Sequence, residues 1–166
     1  MKILFTKANW ELSLLSVSEF VDRCVAAGYD GTEIYLPARP ESTREIRALH
    51  DAANLKIVSH IATEGATPDE HLRSLEERYL RAVELQPLFV NSHTGKDFFS
   101  PADSLRIFEA GEKLVAKHGV PLLHETHRGR ALFSAPDTLE YLRQLPDLRL
   151  TADFSHWVCV HESDLS

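Results

Sequence analysis

The sequence predicts an α/β fold of about six βα units with parallel strands. Short apolar runs alternate with segments of helical periodicity, and successive runs begin roughly 25 to 32 residues apart. A helix between two consecutive strands implies a right-handed crossover, so the strands that it joins run parallel. The chain has 166 residues, 43% hydrophobic and 26% charged, which is enough to bury a core without disulfides or a structural metal. We therefore expect residues 1–166 to form a single domain.

Each predicted strand is a short apolar run with few charges, as expected for parallel strands that are buried on both faces. In chain order the strands are Ile3–Thr6, Gly31–Leu36, Lys56–His60, Leu88–His93, Val120–Glu125 and Leu148–Asp153. Gly28 and Gly119 each follow a helical segment and precede a strand, where a glycine commonly ends the helix.

Each predicted helix has apolar residues at helical spacing, and most follow a residue type that caps helices. In chain order the helices are Val17–Ala27, Arg44–Ala53, Asp69–Leu85, Ala102–His118 and Ala135–Leu145. The start signals are Ser16, Thr43, Thr67-Pro68 and Ser100-Pro101. His50, His71 and His118 fall within or at the ends of these helices, so we expect them to pack there.

Charge and hydropathy exclude several classes of function. The 18 Lys and Arg against 25 Asp and Glu give a net charge of −7, and acidic residues are spread along the chain, which disfavours nucleic acid as a partner. No apolar stretch approaches the roughly 18 residues of a membrane span, and the N-terminus does not resemble a secretion signal. With two cysteines only, Cys24 and Cys159, we expect a cytoplasmic protein without disulfides.

Polar side chains close five of the six predicted strands. They are Glu33, His60, His93, Glu125 and Asp153, and His156 follows three residues after the last. Catalytic groups gather at the C-terminal ends of parallel strands, and strand alternation places each of these side chains opposite its apolar neighbours. Helix capping or packing would explain any one of them alone. Their recurrence at equivalent strand ends predicts a single functional site at the C-terminal mouth of the strands, where these ends meet.

Glu125 and Asp153 close adjacent strands, which places their carboxylates roughly 5 Å apart if the strands pair. Like charges so close need a cation or a shared proton. With neutral imidazoles nearby, this ligand set suits Mn²⁺, Zn²⁺, Co²⁺ or Fe²⁺ better than Mg²⁺. We therefore expect a divalent metal ion as cofactor.

The segment from His124 to Arg130 is the densest polar cluster. It is either a solvated loop or a substrate contact in which Arg128 and Arg130 neutralise a phosphate or carboxylate. Trp157 either packs in the core or forms a wall of a sugar-sized pocket. Neither a dinucleotide-binding glycine motif nor a phosphate-binding loop is present, and neither cysteine has an obvious histidine partner for nucleophilic catalysis.

Three segments carry a resemblance to a known family: GYDGTEI at residues 28–34, LHETH at 123–127 and TADFSH at 151–156. With them the whole chain resembles the xylose isomerase-like TIM barrels, which comprise sugar and sugar-phosphate isomerases and epimerases, with endonuclease IV as a relative. The resemblance implies a partial (β/α)8 TIM barrel. A complete barrel takes about 250 residues, so this chain matches roughly its first three quarters.

The resemblance also implies roles for individual residues. Glu125 and Asp153 would ligate the metal, and Glu125 and His156 would be catalytic. His60, His93 and His156 would contact a small sugar-like substrate. From their positions in the sequence, we expect Glu33, His127, Arg128 and Trp157 to bind it as well. In the endonuclease branch, the positions of His60 and His93 are zinc ligands.

The expected function is a metal-dependent isomerase or epimerase of a sugar, sugar phosphate or polyhydroxy acid, working by proton transfer through an enediolate-like intermediate. The alternatives are a zinc phosphodiesterase acting on abasic DNA and a non-catalytic barrel fragment. Strands one and six would lie at open sheet edges, so we also expect association between copies of the chain.

Overall fold

The computed structural model describes residues 2–36 and 41–164. It is a curled half-barrel, in which six parallel strands form one sheet in chain order and helices alternate with the strands. The strands are β1 (Thr6–Ala8), β2 (Gly31–Tyr35), β3 (Lys56–Ala62), β4 (Val90–His93), β5 (Leu122–Glu125) and β6 (Leu150–Thr151). The helices are α1 (Val17–Ala26), α2 (Thr43–Ala53), α3 (Pro68–Val83), α4 (Pro101–His118), α5 (Ala135–Gln144) and α6 (Phe154–His161). The α/β class and the partial TIM barrel are thus confirmed.

Every strand differs from the sequence prediction by a residue or more at one end or both: β2 ends one residue earlier, β3 ends two residues later, and β4 and β5 each begin two residues later. The largest differences are at β1 and β6. β1 begins at Thr6, paired with Gly31, and not at Ile3. Phe5 precedes the ladder and instead exchanges hydrogen bonds with Asp30, through the backbone oxygen of Phe5 and the carboxylate of Asp30. β6 is only two residues long, because the chain turns at Asp153 into a helix, α6, that periodicity did not predict.

The helices begin where the sequence supplies caps. Ser16, Ser42 and Thr67 each form a capping box with the glutamate three residues on, which satisfies two otherwise unpaired backbone groups. The second of these moves the start of α2 one residue ahead of the predicted Arg44. α4 begins with Pro101 after Ser100, and α5 has Pro136 as its second residue after Ser134; both serine hydroxyls accept from the third helical backbone N–H.

The main core lies between the sheet and helices α1 to α4. Its largest fully buried side chains include Tyr79, Phe20, Ile34, Ile61 and Leu122, and a smaller cluster around Phe108 and Tyr141 joins α4 to α5. Among the described residues, no helix is both long and apolar enough to cross a bilayer.

Two buried histidines connect helices to the sheet through hydrogen bonds with threonine hydroxyls. His50 of α2 is fully buried, and its Nε2 lies 2.7 Å from the hydroxyl of Thr32 in β2. His71 of α3 is also fully buried, with its Nδ1 2.7 Å from the hydroxyl of Thr63. These two histidines therefore pack in the helix layer, as the sequence predicts.

Candidate active site

A cavity of about 570 Å³ opens at the C-terminal ends of the strands. Its walls are side chains two positions apart on five successive strands, because alternate residues of a strand face the same side. From the strands and the residues just after them they are Glu33, Tyr35, His60, Ala62, Glu64, Asn91, His93, Glu125, His127, Thr151 and Asp153; Trp10, Arg130 and His156 complete the lining. The structure thus brings Glu33, His60, His93, Glu125, Asp153, His127 and His156 to one mouth.

Asn91 connects the two inner glutamates. Its Nδ2 donates to Glu33 Oε1 at 3.0 Å and to Glu125 Oε2 at 2.6 Å. Burial raises the pKa of Glu125, but His93 and Asn91 beside the carboxylate outweigh burial and lower the pKa to about 2. Burial likewise acts against ionisation of Glu33, and His60 and Asn91 reverse it, so its pKa is also lowered. Both glutamates are therefore ionised at neutral pH.

Two imidazole nitrogens lie against these carboxylates. His60 Nδ1 is 3.0 Å from Glu33 Oε1, and His93 Nε2 is 3.1 Å from Glu125 Oε2. Both nitrogens are buried, and each lies beside a carboxylate oxygen that the imidazole helps to keep ionised. Imidazole nitrogens and carboxylate oxygens that converge in this way are also suitable ligands for a divalent cation.

Four imidazoles form a row across the mouth. The ring centroids of His60 and His93 are 4.3 Å apart, those of His93 and His127 are 4.1 Å apart, and those of His127 and His156 are 3.7 Å apart. Burial lowers the pKa of His93, and it lowers the pKa of His127 to about 4, so both rings are neutral at pH 7. A neutral imidazole is the form that ligates metals.

Within the part of the chain that the structure describes, two groups of side chains offer ligand atoms within 4.8 Å of one another, and Glu125 belongs to both. One is His60, His93 and Glu125, and the other is Glu125, His127 and His156. One carboxylate with two imidazoles is a donor set that fits Zn²⁺, Mn²⁺, Fe²⁺ or Co²⁺. The residues present therefore fit a divalent ion.

Asp153 differs from the expectation for a metal ligand paired with Glu125. It lines the cavity, but its Oδ1 accepts from the backbone N–H of Ser155 at 2.9 Å and so caps α6. Its Oδ2 lies 3.7 Å from His156 Nε2, and it belongs to neither ligand group. The capping alternative thus describes Asp153 in this structure.

The structure does not bring Arg128 or Trp157 to the cavity. Arg128 is exposed, and its Nη1 contacts Cys159 Sγ at 3.6 Å. Trp157 donates its indole N–H to the backbone oxygen of Leu132 at 3.0 Å. The arginine that lines the cavity is Arg130, two residues beyond Arg128.

Sequence reasoning missed several lining residues. Tyr35, Asn91 and Thr151 each stand two positions from a predicted site residue on the same strand face, so alternation would have identified them. Trp10 was missed because β1 ends later than predicted. Glu64 was missed because β3 extends to Ala62, two residues beyond the predicted end at His60.

A family model described as "Xylose isomerase-like TIM barrel" matches residues 21–166. The chain belongs to this family. The xylose isomerase-like family assignment agrees with the half-barrel and with the position of the cavity at its C-terminal mouth. Among curated proteins, none has a significantly similar sequence.

Solved structures share the fold. The probable 3-DHS dehydratase AsbF from Bacillus anthracis is 22% identical with a TM-score of 0.74, and the match covers 98% of this chain and 66% of that one. A xylose isomerase domain containing protein from Salmonella typhimurium is 16% identical with a TM-score of 0.79, covering 99% and 66% respectively. The 3-keto-D-glucoside 4-epimerase YcjR from E. coli is 16% identical with a TM-score of 0.72, covering 99% and 73%. The chain thus spans just under two thirds of the length of the first two structures.

Proposed function

We propose that the cavity is the active site of a metal-dependent isomerase or epimerase that acts on a small sugar, sugar phosphate or polyhydroxy acid. The observation that carries the proposal is the position of Glu125, an ionised carboxylate shared by two groups of imidazole ligands at the mouth of the half-barrel. Membership of the xylose isomerase-like family supports it, as does the similarity to an epimerase of known structure.

Glu125 would hold the ion together with His60 and His93 or with His127 and His156. Asp153 uses Oδ1 to cap α6, so Oδ2 is the oxygen with which it could join them. When bound, a divalent ion polarises adjacent substrate oxygens and so favours loss of a proton from the neighbouring carbon.

The side chains themselves position and move the proton. Asn91 occupies Glu125 Oε2, so Oε1 is the oxygen left to meet a cation or to accept a substrate proton as general base. His156 lies on the other side of His127, and its buried Nδ1 has no hydrogen-bond partner among the described residues. We assign to His156 the orientation or protonation of a substrate oxygen.

The test combines metal content, thermal stability and proton exchange. Wild type, Glu125→Gln and the control Glu76→Gln, an exposed glutamate of α3, are purified without chelator and assayed before and after EDTA. We expect near-stoichiometric Mn, Zn, Co or Fe in wild type and in the control, and a lower melting temperature after EDTA, because an ion that binds the folded state stabilises it. Glu125→Gln should lose the ion.

Exchange is followed by deuterium uptake from D₂O into a panel of ketoses and keto acids. Uptake by wild type and by Glu76→Gln, with at least a hundredfold loss in Glu125→Gln, is the expected result. A protein that holds no metal and exchanges no proton would contradict the proposal and leave the non-catalytic alternative.

A second candidate is a zinc phosphodiesterase acting on abasic DNA. The observation that favours it is the sharing of Glu125 between two ligand groups, since a carboxylate between two neighbouring ions is typical of phosphodiester cleavage. The net charge of −7 opposes it. Absence of binding to an abasic duplex at low salt would eliminate this candidate.

A further inference from the structure

Arg130 is a half-buried cation on the wall of the cavity. Its Nη1 donates to the backbone oxygen of Thr63 at 2.8 Å and to that of Gly95 at 3.4 Å. These two residues follow β3 and β4, while Arg130 itself follows β5. The guanidinium is therefore fixed across three strand ends by neutral carbonyls, and its other N–H groups remain available at the cavity wall.

No carboxylate of residues 2–36 and 41–164 lies within 4.0 Å of this guanidinium. The nearby Glu64 is paired with Arg78 instead. Burial lowers the pKa of Arg130, as expected for a charge that is removed from water. A partly buried cation without a counterion is costly, and a ligand anion would relieve that cost.

We propose that Arg130 binds a carboxylate of the substrate, so that the substrate is a polyhydroxy acid. This inference rests on the proposed function, because it takes the cavity as the substrate site. A planar guanidinium matches a carboxylate through two parallel hydrogen bonds.

Charge balance favours a carboxylate over a phosphate. Arg130 is the sole Lys or Arg among the described residues that line the cavity, whereas Glu33, Glu64, Glu125 and Asp153 line it as well. The divalent ion of the proposed site would offset Glu33 and Glu125, and Glu64 is paired with Arg78, so a phosphate ester, with a charge near −2, would have Arg130 as its one further cation among the described lining residues. A carboxylate carries one negative charge, which Arg130 alone neutralises.

The position of Arg130 also sets the direction of the substrate. The carbonyls that anchor it follow β3 and β4, while Glu125 ends β5 and His156 lies beyond β6. A carboxylate on Arg130 would leave the rest of the substrate to extend across the mouth toward Glu125. Arg130 would thus act in binding and specificity, apart from the proton transfer.

The test measures binding without turnover. Two matched sets are titrated by calorimetry: glucose, glucuronate and glucose 6-phosphate, and ribose, ribonate and ribose 5-phosphate. The proteins are wild type, Arg130→Gln, Arg130→Lys and the control Arg128→Gln, which removes an equal charge from the same loop outside the cavity. Each protein is assayed as purified and after EDTA, and thermal unfolding establishes that it is folded.

In wild type, we expect at least one sugar acid to bind at least tenfold more tightly than its neutral sugar and its phosphate ester. Arg130→Gln should abolish this preference, Arg130→Lys should keep part of it because the charge remains, and Arg128→Gln should leave it unchanged. If Arg130→Gln is poorly folded, the preference for the acid is compared between Arg130→Lys and Arg128→Gln: a weaker preference in Arg130→Lys supports the inference, and equal preferences contradict it.

Four results would overturn the inference: a preference for the phosphate esters, an acid preference that persists in Arg130→Gln, an acid preference that EDTA alone removes, or no binding by any member of either set. A failure of the proposed function alone would give another result: the acid preference would still depend on Arg130, but no compound would exchange a proton with D₂O.

Discussion

Asn91 allows two ionised glutamates to share one wall of the cavity. Its amide nitrogen spans Glu33 and Glu125, and a side-chain amide is the smallest group that donates two hydrogen bonds from one atom without adding charge. The two carboxylates would otherwise repel each other in a site where water screens charge poorly. At the scale of single residues, the charge balance of the site therefore depends on a neutral side chain.

Replacing Asn91 by leucine should destabilise the metal-free chain by about 1–3 kcal/mol, because two buried carboxylates would lose a hydrogen-bond donor. Urea unfolding after EDTA measures the loss. Adding back Mn²⁺ or Zn²⁺ should restore more stability to Asn91→Leu than to wild type, since a cation can replace the missing donor. An unchanged unfolding midpoint would contradict this account of Asn91.

At the scale of elements, α2 is held to β2 through a side chain that must stay neutral. His50 Nδ1 donates to the backbone oxygen of Ile46, and its Nε2 accepts from Thr32 Oγ1. This arrangement uses both nitrogens of the neutral ring, and burial of the ring disfavours a second, charge-bearing proton. Burial lowers the pKa of His50 accordingly.

The chain should therefore lose stability as the pH falls below about 6.5. In the unfolded chain, His50 has an ordinary pKa near 6.5, so the unfolded state takes up the proton first and the free energy of unfolding decreases with decreasing pH. In urea unfolding at pH 7 and pH 5, His50→Gln should show a smaller decrease than wild type. An equal decrease in both proteins would show that His50 does not contribute.

The pairing of β2 with β3 leaves no room for a side chain at Gly31. A Cβ at this position would lie 2.5 Å from the backbone oxygen of Lys56, its partner in the parallel ladder. Gly31→Ala should destabilise the chain by about 1–3 kcal/mol, because the backbone must shift to relieve the contact. Chemical denaturation measures the effect, and a variant as stable as wild type would exclude so close a strand pairing.

In the molecule as a whole, the sheet formed by the described residues has two open edges, since within residues 2–36 and 41–164 β1 pairs only with β2 and β6 pairs only with β5. Large apolar side chains are exposed beside both edges: Ile3 and Phe5 just before β1, and Phe154 and Val158 in α6 after β6. Exposed apolar groups next to unpaired strand edges favour association.

We expect concentration-dependent self-association, measured by sedimentation velocity. Phe5→Lys should weaken it, because Phe5 is 65% exposed next to the edge of β1. Leu14→Lys is the matched control, since Leu14 is 99% exposed but lies in the connection to α1. Equal effects of the two substitutions would indicate that general hydrophobicity, and not the sheet edge, causes association.

The site residues that the sequence could predict are those fixed by the regular geometry of the strands. Strand periodicity identified Glu33, His60, His93 and Glu125 at the cavity, because a period of two fixes the face of a side chain whatever surrounds it. Periodicity also identified Asp153 at the cavity, but it could not predict that this carboxylate caps α6, since capping is a local interaction that competes with ligation. Nor could it choose Arg130 over Arg128, because the carbonyl that anchors Arg130 belongs to Thr63, 67 positions earlier.

The row of four imidazoles has a spectroscopic consequence. Successive ring centroids are 3.7 to 4.3 Å apart, so each ring lies within the ring-current field of its neighbour. The four rings are those of His60, His93, His127 and His156. Their aromatic proton resonances should therefore be displaced as a group from those of a solvated histidine. Titration with a paramagnetic ion such as Mn²⁺ should broaden these four signals in order of distance, and the order would reveal at which end of the row the ion binds.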